Sequence, residues 1–476
     1  MDKVNFLNQS TSLTIVIVVS LIFTIVGLTY SKKHQGINNY LTANRSIGLF
    51  SLTTSLIASA LGAWILFGPA SAGTWGGIGA VIGYALGTAF PMFFLIFLGK
   101  KIRKEFPKGS TLIEFLKKRF GKSLFKLILL MMVFYMFIFL CAEVTAIAIL
   151  INYISGTELW ITALIILIGT LIYTLYGGLR ASIFTDNIQM LVIIVLFVLS
   201  VIYIMTFTGE QFSFSFIKKK SPHLLNGNYM PNYTAGLTFF IAVAATNLFH
   251  QGNWQRVYAA KNNFILKKSL LISFFLIIPI VFFMGFSGLV AASLDSNVIP
   301  DLAFFSLLFK EKASMLSVIV IILGISLTIS SIDTLINAIS SLIIVDGNKI
   351  INFKGSYFKL SNYLIILLSI IVFVVASKGL SILYLFLLAD LFCCSAVLTI
   401  FYSFFTKSIS EKNAYVSIII GITAGLLLFP SPDFSKSILV GILFPINFFP
   451  SFVSQSLLFL SFLIATFVPI FTWKIK

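Results

Sequence analysis

The sequence carries very little charge for its length. Of its 476 residues only 10% are Asp, Glu, Lys or Arg, whereas 59% are hydrophobic, and the mean hydropathy is +1.04. A soluble protein of this size needs far more polar surface, so the composition excludes a soluble globular domain. Apolar runs of about 20 residues recur along the chain, and a helix of that length crosses a bilayer. The sequence therefore predicts an all-α polytopic membrane protein.

Cysteine is also scarce, with three residues in the whole chain. Cys141, Cys393 and Cys394 all lie in apolar runs without metal-binding or disulfide spacing, so we interpret them as small apolar fillers. The sequence contains neither a nucleophile–base set nor a metal-ligand cluster, so an enzyme is not expected. The first apolar run lacks a basic leader and a small-residue cleavage site, which predicts a retained helix rather than a signal peptide.

Basic residues outnumber acidic ones, 33 to 15, and give a formal charge of +18. They sit in short loops between the apolar runs rather than on one soluble face, which excludes a nucleic-acid-binding protein. We predict about thirteen spans on the length criterion. They cover residues 13–30, 47–71, 76–99, 124–153, 158–177, 183–207, 235–258, 268–293, 314–344, 361–377, 380–404, 414–430 and 453–473.

The loops between these spans give the orientation. With the N-terminus outside, the inner loops hold 25 of the 33 basic residues, and cytoplasmic loops are the ones enriched in Lys and Arg. The sequence therefore predicts an outer N-terminus and an inner C-terminus. The apolar stretch 437–449 is short and broken by proline, and we interpret it as interfacial or re-entrant.

Two groups of five spans follow the first helix. Five is an odd number, so the second group enters the membrane in the opposite orientation, as in an inverted repeat. The predicted segments are an N-terminal helix and cytoplasmic loop (1–45), a first repeat (46–207), an extracellular loop (208–234), a second repeat (235–404) and C-terminal helices (405–476).

Each repeat opens with an interrupted helix. Gly62, Gly68 and Pro69 interrupt the first, and the polar run 246–256 interrupts the second. Non-helical backbone at bilayer depth is tolerated where it lines a cavity or meets a ligand. Matched interruptions in two halves indicate a central binding site, although glycine and proline are also ordinary in membrane helices.

A polar stripe runs through the apolar segment 324–341. Its members recur at steps of three and four, so they share one helical face: Ser326, Ser330, Asp333, Asn337 and Ser341. Ser330 and Ser331 offer adjacent hydroxyls. Carbonyls freed at the first interruption, from Ala58 and Leu61, can complete an oxygen shell with the carbonyl of Leu327, and such a shell suits Na⁺. The alternative is that these serines bond to their own helix.

Four carboxyl groups lie within spans, where a carboxylate costs about 2.5–3.5 kcal/mol on insertion scales. Asp333 is flanked by hydroxyls and is the strongest functional candidate. Asp186 either has a functional role, caps a helix or pairs with Arg180. For Glu143 a proton site, a substrate contact and a structural hydrogen bond all stay open. Asp390 is interpreted as a hydrogen bond inside the bundle, with a gate residue as the alternative.

Three motifs point to one family: Tyr176-Gly177-Gly178-Leu179 with Thr185, Asp186 and Gln189; Ser330-Ser331-Ile332-Asp333-Thr334; and Trp254-Gln255-Arg256 with Ala259-Ala260-Lys261. With them, residues 10–430 resemble the sodium/solute symporter family. The segment 63–69 is most similar to the sodium/proline branch, and urea carriers share the Trp-Gln-Arg ending. The resemblance implies a leucine-transporter-type 5+5 inverted repeat with one extra N-terminal helix.

By position, the resemblance implies a sodium site formed by Ala58, Leu61, Leu327, Ser330 and Ser331. It implies a second cation site, or a proton site, at Asp186, Asp333 and Thr334, with Ser330 shared. A substrate site between the broken helices would draw on Ser59, Trp64, Glu143, Asn247, His250 and Gln251.

The expected function is sodium-coupled symport of a small polar organic solute into the cell by alternating access, with an amino acid such as proline favoured. Alternatives are a carrier of urea or another small solute, coupling to protons, and a transporter-like sensor. The expected coupling ion is Na⁺. The expected partners are a small-molecule solute and the lipid bilayer of the plasma (inner) membrane, which the chain would cross many times.

Overall fold

A computed structural model describes residues 6–309, 314–432, 437, 439 and 456–473. In these residues the chain is helical and forms no strand; its β-type pairing consists of two isolated bridges. The helices are α1 Gln9–Lys33, α2 Ile37–Thr42, α3 Leu49–Ala60, α4 Gly68–Glu105, α5 Leu112–Arg119, α6 Lys122–Ser155, α7 Leu159–Thr208, α8 Phe214–Lys220, α9 Met230–Phe249, α10 Gln251–Ala259, α11 Asn263–Leu294, α12 Ala303–Leu308, α13 Ser314–Asp346, α14 Tyr357–Ala376, α15 Ile382–Tyr402, α16 Glu411–Leu428 and α17 Leu457–Phe471.

Every predicted span has a helix in the structure, and nine helices of the described chain are long and apolar enough to cross a membrane. Two helical runs contain a kink at a glycine, and the predicted spans divide the chain near each of them, at 72–75 and at 178–182. The kinks lie at Gly77 in α4 and at Gly178 in α7, with φ of 59° and 60°. Glycine adopts this left-handed conformation without a steric penalty. The predicted interfacial stretch 437–449 lies outside the described residues apart from 437 and 439.

Both predicted interruptions are present. Helix α3 ends at Ala60, the next two residues are non-helical, and a short 3-10 turn over Ala63–Leu66 leads into α4. In the second repeat, α9 ends at Phe249, and His250 has extended backbone angles before α10 begins. The chain therefore has two broken helices, each of which opens one group of five spans, and the predicted fold class is confirmed.

The first two helices of each repeat form one tightly packed bundle in which α4 lies against α9 and α11. Glycines allow this approach. A β-carbon at Gly83 would overlap the backbone carbonyl of Gly236, and one at Gly288 would overlap that of Ala70. Small residues at such crossings let membrane helices pack backbone to backbone. The third helices of the two repeats, α6 and α13, pack against each other and against α7 and α14.

The inner ends of the two broken helices are joined by a short parallel bridge between Ile47 and Ala260. The Ile47 N–H donates to the carbonyl of Ala259 at 3.1 Å, and the Lys261 N–H donates to the carbonyl of Ile47 at 3.0 Å. Backbone hydrogen bonds therefore connect the start of α3 to the end of α10.

Candidate ion and solute sites at the broken helices

The break after α3 faces two buried oxygens from other helices. Glu143 of α6 is fully buried, and its Oε2 accepts a hydrogen bond from the Ala63 N–H at 2.8 Å. Its other oxygen, Oε1, and the hydroxyl of Ser331 on α13 have no hydrogen-bond partner among the described residues. A β-carbon on Gly62 would overlap both of them. The two unpaired oxygens therefore point at the same small space beside the break.

Two of the predicted sodium ligands line one apolar cleft. These are Leu61 and Leu327, and the cleft lies between α3 and α13. Ala58 belongs to the last turn of α3, where helical carbonyls lose their intrahelical donors. Ser330 donates its hydroxyl proton to Oδ1 of Asp186 at 2.6 Å, so the lone pairs of the Ser330 hydroxyl oxygen stay available to a cation. Helices α3 and α13 are in contact, and the oxygen shell itself stays a prediction.

The serines of the α13 stripe behave differently from one another. Ser326 donates to the carbonyl of Ile322, and Ser341 donates to that of Ala338, so the interpretation as bonds within the helix holds for these two. It does not hold for Ser330 and Ser331. A serine hydroxyl that does not bond to a carbonyl of its own helix is available to a ligand or to a side chain of another helix.

A fully buried ion pair lies beside the predicted second cation site. Arg256 Nη2 is 2.9 Å from Asp186 Oδ2, and both side chains have an exposed fraction of 0%. Ser55 of α3 donates to the same Oδ2 at 2.5 Å and accepts from Arg256 Nε at 2.7 Å. The network therefore joins α7, α10 and α3.

Arg256 also donates from Nη2 to the hydroxyl of Thr334 at 2.9 Å. The guanidinium therefore lies between Asp186 and Thr334, two residues of the predicted second cation site. Pairing of Asp186 with Arg180, one alternative from the sequence, is wrong for this structure. Arg180 instead donates to Ser46 Oγ at 3.0 Å, while Arg256 neutralises Asp186.

Asp333, the third member of that predicted site, is held by hydroxyl donors. Tyr173 donates to its Oδ2 at 2.6 Å, Ser182 to its Oδ1 at 2.8 Å and Thr185 to its Oδ2 at 3.2 Å. All three donors belong to α7. The carboxyl group therefore fastens α13 to α7 in addition to any role in ion binding.

Four of the six predicted substrate residues line one narrow cavity between the broken helices: Ser59, Trp64, Asn247 and His250. The cavity offers about 20 Å³ to the centre of a water molecule, roughly the room that one water needs. The bundle must therefore open before a larger solute can bind.

The other two predicted residues lie elsewhere. Glu143 bonds to the backbone at the α3 break, as described above. Gln251 donates to the carbonyl of Ser110 at 2.9 Å and accepts from the Leu112 N–H at 3.3 Å. It therefore anchors α10 to the chain at α5 rather than facing the cavity.

The cavity also contains residues that the sequence did not single out as substrate contacts: Tyr84, Phe139, Thr246, Phe386 and Asp390. The aromatic ones are individually indistinguishable from ordinary lipid-facing or core residues. Phe386 and Asp390 stand four positions apart on α15, so they share a helical face, and that spacing is the signal that could have paired them.

The structure combines two broken helices at a shared centre, an inverted pair of five-span groups and buried polar groups at the breaks. This architecture defines a membrane transporter of the leucine-transporter-type fold. The model of the sodium:solute symporter family matches residues 40–421, and the chain belongs to that family. The family and its relatives are transporters and not enzymes.

Two relatives are similar to this chain in sequence. The chain is 26% identical over 379 residues to the spermidine transporter DUR31 of Candida albicans, covering 79% of this chain and 71% of the relative. It is 28% identical over 194 residues to the sodium/glucose cotransporter 1 of Ovis aries, covering 40% of this chain and 29% of the relative.

The fold is similar to that of a Na⁺-coupled sialic acid symporter in a substrate-bound outward-open state. The TM-score is 0.71 at 19% identity over 95% of this chain and 97% of that chain. It is also similar to Mhp1, a nucleobase-cation-symport-1 family transporter, with a TM-score of 0.60 at 14% identity over 92% and 95% of the two chains.

Proposed function

We propose that this protein couples the sodium gradient to uptake of a small polar organic solute, with Na⁺ bound by the carbonyls of Ala58, Leu61 and Leu327 and the hydroxyls of Ser330 and Ser331. The observation that carries the proposal is the Ser331 hydroxyl, which is 3% exposed and lacks a hydrogen-bond partner among the described residues. A buried hydroxyl without a partner is costly, and a cation at the break relieves that cost. Family membership supports sodium as the coupling ion.

The site would connect two parts of the molecule that alternating access moves apart. The α3 ligands belong to the tightly packed bundle, and the α13 ligands belong to the helices around it. A ligand shifts a conformational equilibrium only through its different affinity for the two states. Na⁺ at this junction would favour the state in which α3 and α13 are close, and its release would allow the bundle to rock away.

We expect Ser331→Ala to raise the sodium concentration for half-maximal uptake by about tenfold, because the ion loses one oxygen ligand; this change corresponds to roughly 1.4 kcal/mol of binding free energy. The measurement is solute uptake into proteoliposomes at a series of sodium concentrations. Ser326→Ala is the matched control, since Ser326 is buried on the same helix but bonds to its own backbone. An unchanged sodium dependence in Ser331→Ala would remove this residue from the site.

Proton coupling is the second candidate, with Asp333 or Glu143 as the carrier. The observation in its favour is the unpaired Oε1 of Glu143 at the break. Asp333 is less suited to the role, because three hydroxyl groups of α7 already donate to it. Solute accumulation driven by a pH gradient in sodium-free vesicles would favour proton coupling. Accumulation that requires sodium at every pH would exclude it.

The Arg256 guanidinium lies where the predicted second cation site draws on Asp186 and Thr334. We infer that the protein's own cation takes that position in this conformation. Transport with a single sodium ion per solute follows from this arrangement. Counting the sodium ions from the reversal potential of proteoliposomes tests it, and two ions per cycle would contradict it.

The solute itself is a separate matter. The segment around Trp64 favours an amino acid such as proline, and urea is the alternative. The names of the relatives do not agree on a solute, since one is called a spermidine transporter and others sodium/glucose cotransporters.

A sensor that binds the solute without moving it is the remaining alternative function, and measurable sodium-dependent accumulation would exclude it. We place the protein in the plasma (inner) membrane.

A further inference from the structure

We propose that the transported solute is an organic cation whose ammonium group binds between the Asp390 carboxylate and the aromatic rings of Trp64, Tyr84 and Phe386. The inference rests on the proposed function, because it takes the cavity between the broken helices to be the solute site. It adds the chemical class of the solute.

The first argument is the charge of the cavity. Asp390 lines it and is only 4% exposed. Thr246 donates a hydrogen bond to its Oδ1 at 2.5 Å. Neither ion pair of the described chain involves Asp390: they join Arg256 to Asp186 and Lys349 to Asp346. A buried carboxylate is expensive to keep without a countercharge. A cationic ligand supplies one.

The second argument is the aromatic surface beside that carboxylate. Trp64 and Tyr84 stack with ring centroids 5.5 Å apart at an interplanar angle of 16°, and Phe386 meets the Trp64 ring edge-on with centroids 6.3 Å apart. Aromatic faces attract ammonium groups, and the attraction grows when water is excluded. A carboxylate next to several rings is a combination that suits a compact alkylated or primary ammonium group.

The third argument concerns anions. The residues of the described chain that line the cavity include no lysine or arginine. The Ala63 N–H at the helix break is the kind of donor that binds an anionic group, but the Glu143 carboxylate already accepts from it. The carboxylate of an amino acid such as proline therefore lacks a lysine or arginine partner here, and His250 is the basic side chain that lines the cavity. A net positive solute satisfies the cavity better than a zwitterion does.

The test uses probes that differ in charge and not in shape. We would measure thermal stabilisation of the purified full chain in sodium by choline and by its neutral isostere 3,3-dimethyl-1-butanol, and by butylamine and 1-butanol, with proline and urea alongside. At least one cation should bind about tenfold or more tightly than its neutral partner. Stabilisation by proline or urea with no effect of either cation would overturn the inference, and so would no effect of any probe.

Asp390→Asn is the matching variant. It should weaken binding of the cation about tenfold or more while leaving stabilisation by sodium alone in place. Glu210→Gln removes the same charge at an exposed position in the short 3-10 helix Gly209–Gln211 and should bind as the unaltered protein does. If Asp390→Asn does not fold, Tyr84→Leu tests the aromatic side of the site. Unaltered cation binding in the folded variant would overturn the inference. If sodium alone does not stabilise the unaltered protein, the proposed function is overturned instead.

Discussion

Removing either charge of the Asp186–Arg256 pair should destabilise the protein by about 3–5 kcal/mol, because the remaining charge stays buried without a partner. Both side chains are fully buried, and their hydrogen bonds hold α7, α10 and α3 together. Asp186→Asn leaves the guanidinium unpaired, and Arg256→Met leaves the carboxylate unpaired. Thermal unfolding of each purified variant in detergent, followed by tryptophan fluorescence, measures the effect.

The double variant Asp186→Asn with Arg256→Met should recover most of the loss, because a buried ion pair replaced as a whole is often neutral in stability. Arg180→Met is the control for loss of a basic residue. Arg180 donates to Asn39, to the Ala43 carbonyl and to Ser46, with no carboxylate among these partners, so a loss of about 1 kcal/mol is expected. Additive single effects in the double variant would show that the two charges do not stabilise each other.

The second large effect is expected at the glycine crossing between α4 and α9. A side chain at Gly83 would overlap the backbone carbonyl of Gly236, and a helix backbone cannot yield as a flexible side chain can. We expect Gly83→Val to cost about 3 kcal/mol or more, at the upper end of overpacking effects. The two helices belong to the bundle that carries α3, so uptake should fall with stability.

Thermal unfolding and uptake would be measured on the same preparation of Gly83→Val. Gly227→Val is the control, because a β-carbon at Gly227 has no neighbour within 4 Å. It introduces the same side chain on an open loop and should unfold at nearly the same temperature as the unaltered protein. A Gly83→Val protein of unaltered stability would mean that the helices separate freely at this crossing.

The helical architecture can be predicted from the sequence because the patterns that indicate it are periodic and local. Apolar runs of membrane length, basic loops and paired interruptions each follow from the bilayer acting as solvent. The same physics predicts partners for Asp186 and Asp333, since buried carboxylates need them, and in the structure both accept hydrogen bonds from other helices. The predicted spans place Gly178 in a loop and Gly77 inside the span 76–99, whereas in the structure a single left-handed glycine turns each helical run without an intervening loop.

The hydrogen-bond and ion-pair partners of these buried side chains could not be predicted from the sequence. Asp186 lies near Arg180 in sequence but pairs with Arg256, which comes 70 positions later and reaches it through the packing of α10 against α3. Gln251 stands beside a break, and nothing local indicates that its amide reaches α5. The cavity aromatics come from separate helices and carry no pattern of their own. These contacts depend on the tertiary arrangement.

The bridge at Ile47 bears on how the inner side opens. The inner halves of the two broken helices share two backbone hydrogen bonds at this point. A swing of α3 alone would break both of them. We therefore expect the two inner half-helices to move together. Solute and ion would then leave past one moving element, because the inner ends of the two repeats would move in a single step.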